Sequence, residues 1–287
     1  MGMILRIASS RIVGQGDIVG RRGYFSLNLS ANSVMRGRLD ARRTLKSLVA
    51  DLRTTTRFMV RKYFHYLTDT ITCRFNRQFS LKKANMKWIT YNIGDPQDNN
   101  CIKVENSTVT HTSINITGKN NRIIVRNGAK MFFGGIKIIG NDNEVVYDGC
   151  KAMINVFMKG NGCKITVGRG SLIDESTSIV LMGQGNRVEI GEECMFAEKV
   201  EIWASDTHLI TDLQGNPLNP SKPVVIGKHV WLGKGVNVMK GVTIGEHTTV
   251  GLGSIVTKDL PPHCIAAGSP AKVVRTGTDW HLGHTNI

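Results

Sequence analysis

The stretch Trp203–Asp212, WASDTHLITD, places His208 two residues after Asp206. By residue type alone His208 has three readings. It could be a general base, because a neutral imidazole takes up a proton near neutral pH. It could be a metal ligand, or a solvated side chain at the start of a loop. His229 and His247 are a second pair, eighteen residues apart. His281 and His284 lie in the C-terminal DWHLGH and read as solvated. The six cysteines form no C-x-x-C pair. They read as small, buried, reduced thiols of a cytoplasmic protein rather than metal ligands or staples. GKGVNV lacks the spacing of a phosphate loop.

What these side chains can do depends on the elements that carry them. Residues 226–261 divide into sixes: IGKHVW, LGKGVN, VMKGVT, IGEHTT, VGLGSI, VTKDLP. The leading positions, Ile226, Leu232, Val238, Ile244, Val250 and Val256, are all aliphatic. Neither the helical period of about 3.6 nor the strand period of about 2 requires this spacing. A coil with flat sides of about six residues does, since one aliphatic per side must point to a shared axis. Three such sides make a turn, and successive turns stack as parallel strands about 4.8 Å apart. Upstream, four modules open at Gly118, Gly140, Gly160 and Gly183, spaced by 22, 20 and 23 residues. Each carries Asn or Cys three residues later and an aliphatic at five. The spacing predicts one module per turn and a parallel β-helix of roughly eight or nine turns over residues 100–275. In this coil His229 and His247 stand one turn apart. That placement suggests either a metal pair or an ordinary surface ladder, and the ladder is the expected state. The segment 209–222 breaks the repeat with Gly, Asn and Pro and reads as a projecting loop.

The charge is uneven. The chain carries a net +15, but residues 1–85 hold 17 of the 37 basic side chains and four acids, a local net of +13. The remaining body is near neutral at +2, which removes the case for nucleic acid binding. Over residues 34–67, Leu45, Leu48, Val49, Leu52, Met59, Val60, Tyr63 and Leu67 make one apolar helical stripe among arginines. Such a segment could cap the coil, remain without fixed structure, lie on an anionic membrane surface, or dock an acidic polymer. The Arg- and Ser-rich, acid-poor start also fits an organelle transit peptide, and Met86 is an alternative start of the body. No signal-peptide pattern or membrane span of about 18 apolar residues is present.

The run IGKHVWLGKGVNVMKGVTIGEHTTVGLGSIVTKDLPPHCIAAGSPAKVVR resembles the C-terminal half of the hexapeptide-repeat acyltransferases. SDTH, the projecting loop, HVWLG and AGSPAKVV together are similar to the branch that O-acetylates sugars and cell-surface polysaccharides, polysialic acid capsules included. The resemblance implies a left-handed parallel β-helix, a homotrimer, and acetyl-CoA as acyl donor. It implies His208 as catalytic base and Trp231 beside the acetyl group. It implies that Lys234, Gly251, Leu252, Thr257, Lys258 and Arg275 contact CoA. No metal is expected, because the zinc-binding, carbonic-anhydrase-like relative of this fold pairs histidines four or five residues apart and no such pair occurs here. The reading is therefore an all-β chain: a basic, partly helical extension over 1–85, a left-handed β-helix of hexapeptide repeats over 86–275, and a tail over 276–287. The expected activity is O-acetylation of a polysaccharide hydroxyl in the cytoplasm or at the inner membrane face. The rivals are acetylation of a small acceptor, a noncatalytic scaffold, and a metal-dependent hydratase.

Overall fold

The computed structural model describes residues 5–10, 22–27 and 78–283. Met1–Phe64 and His65–Ile287 are two separate compact units. In the first, Leu5–Ser10 and Arg22–Leu27 pair as antiparallel strands. The amphipathic helix expected over 34–67 lies outside the described residues.

The second unit is a parallel β-helix, as the sixes require. One face is a sheet of eight parallel strands running from Phe79–Lys82 to Thr243–Ile244. The other two faces share long strands in the first turns, such as Lys151–Asn161 and Leu172–Gln184. In the later turns they separate into short pairs, such as Trp231–Leu232 and Asn237–Met239. Pairing register follows the sequence spacing. Glu144 stands over Arg122 and beneath Lys164, and Lys164 beneath Arg187, which reproduces the intervals of the glycine modules. Further on, Trp231 pairs with Thr249 and Asn237 with Ile255 at the eighteen-residue interval of the sixes. The leading aliphatics point to the axis: Ile226, Leu232, Val238, Ile244, Val250 and Val256 are all buried. Each contributes roughly 1.5–3 kcal/mol by leaving water.

The glycine modules mark one corner. Gly140 sits at φ +130°, where only glycine is comfortable, and a Cβ there would meet the Gly160 carbonyl. Asn100, Asn121 and Asn143 line the inside of that corner as a ladder. The Asn121 and Asn143 amides each donate to the asparagine below and to a backbone carbonyl of the turn above, and Asn100 at the foot donates to the Ile93 and Gly118 carbonyls, so buried polar groups are paired without water.

Two boundaries differ from expectation. Among the described residues the coil already includes Phe79, ahead of Met86: Phe79–Lys82 alternates half-buried apolar and exposed polar residues and pairs with Cys101–Glu105. The six-residue period is blind to that short alternation. At the other end, Ala271–Thr276 turns back antiparallel on Cys264–Gly268. Beyond it, Trp280 is buried at 7% exposure against the coil, while His281 is exposed as expected.

Candidate functional site

His208 stands where the coil releases the loop. Strand Glu201–Trp203 ends, and Ser205 to His208 turn outward. Thr207 takes a left-handed φ of +64°, its N–H donates to the Ser205 hydroxyl at 3.1 Å, and the His208 N–H donates to the Asp206 carbonyl at 2.8 Å. The imidazole is exposed and makes no hydrogen bond among the described residues.

Asp206 does not orient that imidazole. Its carboxylate accepts from the Lys240 ammonium of the next turn and from Asn219 Nδ2 at 2.8 Å. The hydrogen bond from Lys240 holds the Asp206 carboxyl below the usual carboxylate range. Asn219 then ties the loop stem: Nδ2 donates to the His208 carbonyl at 2.8 Å, and Oδ1 accepts from the Ile210 N–H at 2.7 Å. Asp212 caps the hairpin inside the loop by accepting from the Gln214 and Asn216 N–H groups. The backbone that carries His208 is thus braced on both sides. Spacing could not reveal the roles of Lys240 and Asn219, since both lie more than ten residues away from Asp206.

Trp231 lies on a different face. It is 37% exposed and stands in an outward column with Met195, Thr249, Ile265 and Arg275. Gly251 and the 79%-exposed Leu252 follow at the corner of that face. Lys234 is at the same corner, paired with Glu198 at 2.7 Å. The Gly251 N–H is spent on the Ala266 carbonyl at 2.8 Å. Thr257 and Lys258 follow strand Ile255–Val256, which stacks on Asn237–Met239, so they belong with Lys240 on the His208 side. Within one chain the expected residues therefore form two groups. Trp231, Lys234, Gly251, Leu252 and Arg275 share one side of the coil. His208, Thr257 and Lys258 share another.

Two buried thiols among the described residues are poor nucleophiles. Burial pushes Cys150 up to about 12 and Cys194 up to about 11, so neither is a thiolate at neutral pH.

The site is thus a coil of six-residue sides with an exposed histidine at a braced loop exit and an exposed tryptophan on the next face. Residues 223–258 match the family model Bacterial transferase hexapeptide (six repeats). The polysialic acid O-acetyltransferase of Escherichia coli O1:K1 / APEC is 41% identical over 120 residues, 42% of this chain and 38% of that protein. The polysialic acid O-acetyltransferase of Neisseria meningitidis is 32% identical over 145 residues, 47% of this chain and 64% of that protein. The matched segments thus span less than two thirds of either relative. Among solved structures, the polySia-specific acetyltransferase NeuO superposes with a TM-score of 0.59 at 29% identity, covering 74% of this chain and 91% of that one. The resemblance to hexapeptide-repeat acyltransferases, nearest the polysialic acid branch, is borne out.

Proposed function

We propose that this protein transfers an acetyl group from acetyl-CoA to a sugar hydroxyl of a capsular or other cell-surface polysaccharide. His208 is the general base. The observation that carries the reading is the exposed, unengaged imidazole at a braced loop exit, in a chain that resembles polysialic acid O-acetyltransferases.

The chemistry follows from those groups. A sugar hydroxyl is a weak nucleophile until its proton is taken, and neutral His208 takes it as the oxygen attacks the thioester carbonyl. The C–O bond forms while the carbonyl oxygen gains charge, and the Trp231 indole N–H or a backbone N–H stabilises that oxyanion. Collapse breaks the C–S bond, and the histidine returns its proton to the departing thiolate. No acyl-enzyme is needed, which suits a chain whose Cys150 and Cys194 thiols are held protonated. Holding both substrates in register offsets much of the entropy of a bimolecular reaction.

His208 and Trp231 stand on different faces of one coil, so a site that uses both draws them from neighbouring chains. A homotrimer supplies this pairing. The loop offers a surface for it: Leu209, Ile210, Leu213 and Leu218 are all exposed, Leu213 completely. We assign Arg275 and Lys258 to the CoA phosphates. Lys234 can join them only by leaving Glu198. We place the reaction in the cytoplasm or at the inner membrane face, where residues 1–85 could hold the enzyme to an anionic surface.

Free-thiol release from acetyl-CoA, measured against polysaccharides and small sugars with His208→Ala beside wild type, tests the proposal. Acceptor-dependent release that falls about 10³-fold in the variant is expected for loss of a general base. No release with any acceptor, or release untouched by the variant, overturns it.

A further inference from the structure

The C-terminal segment closes a cluster on the corner next to Trp231 that acyl transfer does not use. His229 and His247 occupy the same left-handed corner position on successive turns, at φ +54° and +56°. Their rings lie 5.0 Å apart at a 49° tilt. Asp279, beyond the last strand, reaches in between them. One carboxylate oxygen is 3.1 Å from His247 Nδ1, and the other is 3.6 Å from His229 Nε2. The Trp280 carbonyl oxygen is 2.9 Å from the same His229 nitrogen.

We propose that His229 Nε2, His247 Nδ1 and the Asp279 carboxylate form a zinc site that fastens the C-terminal segment to the coil. The three ligand atoms lie within 4.8 Å of one another. Zinc bonds of about 2.0–2.2 Å in a tetrahedral set separate the ligand atoms by roughly 3.4 Å. The two His–Asp separations, 3.1 and 3.6 Å, bracket that value, and the two histidine nitrogens need only close from within 4.8 Å to complete the set. Two imidazoles and one carboxylate suit zinc better than a hard cation that prefers oxygen. The fourth position falls to the Trp280 carbonyl or to water, because the side chains are only half-buried.

The ligands are held before any ion arrives. Trp280 stacks on His229 at 4.2 Å and 7°, and its indole N–H donates to the His229 carbonyl at 2.8 Å. His263 stacks on His247 from the other side at 4.7 Å and 12°. His229 Nδ1 is buried without a partner, so Nε2 is the nitrogen that faces the cluster. Packing that sets ring orientation in this way is what fixes metal geometry. The site lacks the three histidines of the zinc hydratase and serves structure. Its effect on the rest of the molecule runs through Trp280, whose ring centroid is 6.1 Å from that of Trp231.

The full-length protein, stripped with chelator and dialysed, is titrated with Zn²⁺ and with Co²⁺. Bound metal is counted by mass spectrometry, and cobalt is followed by its d–d absorption. One ion per chain is expected, with a tetrahedral cobalt band and a change in tryptophan fluorescence from Trp280. His247→Ala and Asp279→Asn are expected to lose the ion, the band and the fluorescence change together. Circular dichroism checks folding, and the exposed Asp279 carries the test if His247→Ala does not fold. A wild-type chain that retains no stoichiometric metal overturns the proposal. Binding that survives Asp279→Asn also overturns it, by placing the ion elsewhere. Neither result depends on acetyl transfer.

Discussion

Residue types announced His208 as a candidate base, but its support lies outside the local stretch. Asp206 stands two positions before it but does not meet the imidazole. Its carboxylate goes instead to Lys240 and Asn219, and it braces the loop stem. The consequence for pH has a definite sign. Lys240 depresses the folded-state pKa of Asp206, so the pair stabilises the stem above the ordinary carboxylate value of about 3.9. That contribution is lost as pH falls through the lower folded value. The protection factor of the Ile210 amide, its exchange rate corrected for the intrinsic pH dependence, should therefore fall below about pH 4 in wild type. In Asp206→Asn the amide should be less protected at pH 7, and its pH response should be flatter. Tyr147 makes a second case at this scale. It is 1% exposed, its hydroxyl has no partner, and burial pushes its pKa well up. Tyr147→Phe removes an unmet polar group and should stabilise the coil by about 1 kcal/mol, read as a higher denaturation midpoint. A lower midpoint would mean that the hydroxyl is bonded after all.

At the scale of elements, period dominates. The glycine modules were legible because they repeat a physical requirement: at Gly118 and Gly140 a Cβ would meet the backbone of the turn above, and the amide three residues on bonds the turn below. Asn143 shows the cost of breaking it. Its Oδ1 accepts from the Cys163 N–H at 2.9 Å, and its Nδ2 donates to Asn121 Oδ1 and the Gly160 carbonyl, each at 2.9 Å. Asn143→Ala strands buried groups on two neighbouring turns and should cost about 3 kcal/mol in chemical denaturation. A loss below about 0.5 kcal/mol, as for an ordinary surface substitution, would show that the ladder does not carry stability. The strand Phe79–Lys82 was missed because a four-residue alternation carries no six-residue signal. The buried Trp280 was missed because one aromatic in a polar tail has no period at all.

At the scale of the molecule, the separation of His208 from Trp231 sets the strongest expectation. If each site takes His208 from one chain and Trp231 from its neighbour, His208→Ala and Trp231→Ala complement each other. Chains mixed in equal amounts and reassembled should regain about a quarter of wild-type thiol release, the fraction of interfaces that pair two intact residues. Two inactive variants that stay inactive after verified exchange of chains would place the whole site within one chain.

The six-residue spacing was enough to dictate a coil with an aliphatic interior, because every turn must bury the same face on the same axis. The D-x-H segment and the loop after it were legible for a related reason, since they interrupt that spacing. Only the tertiary structure decided which side of the coil each residue faces, what Asp206 binds, and that Asp279 closes on His229 and His247. Those contacts join residues between 13 and 50 positions apart, and no local period records which distant turn a side chain will meet.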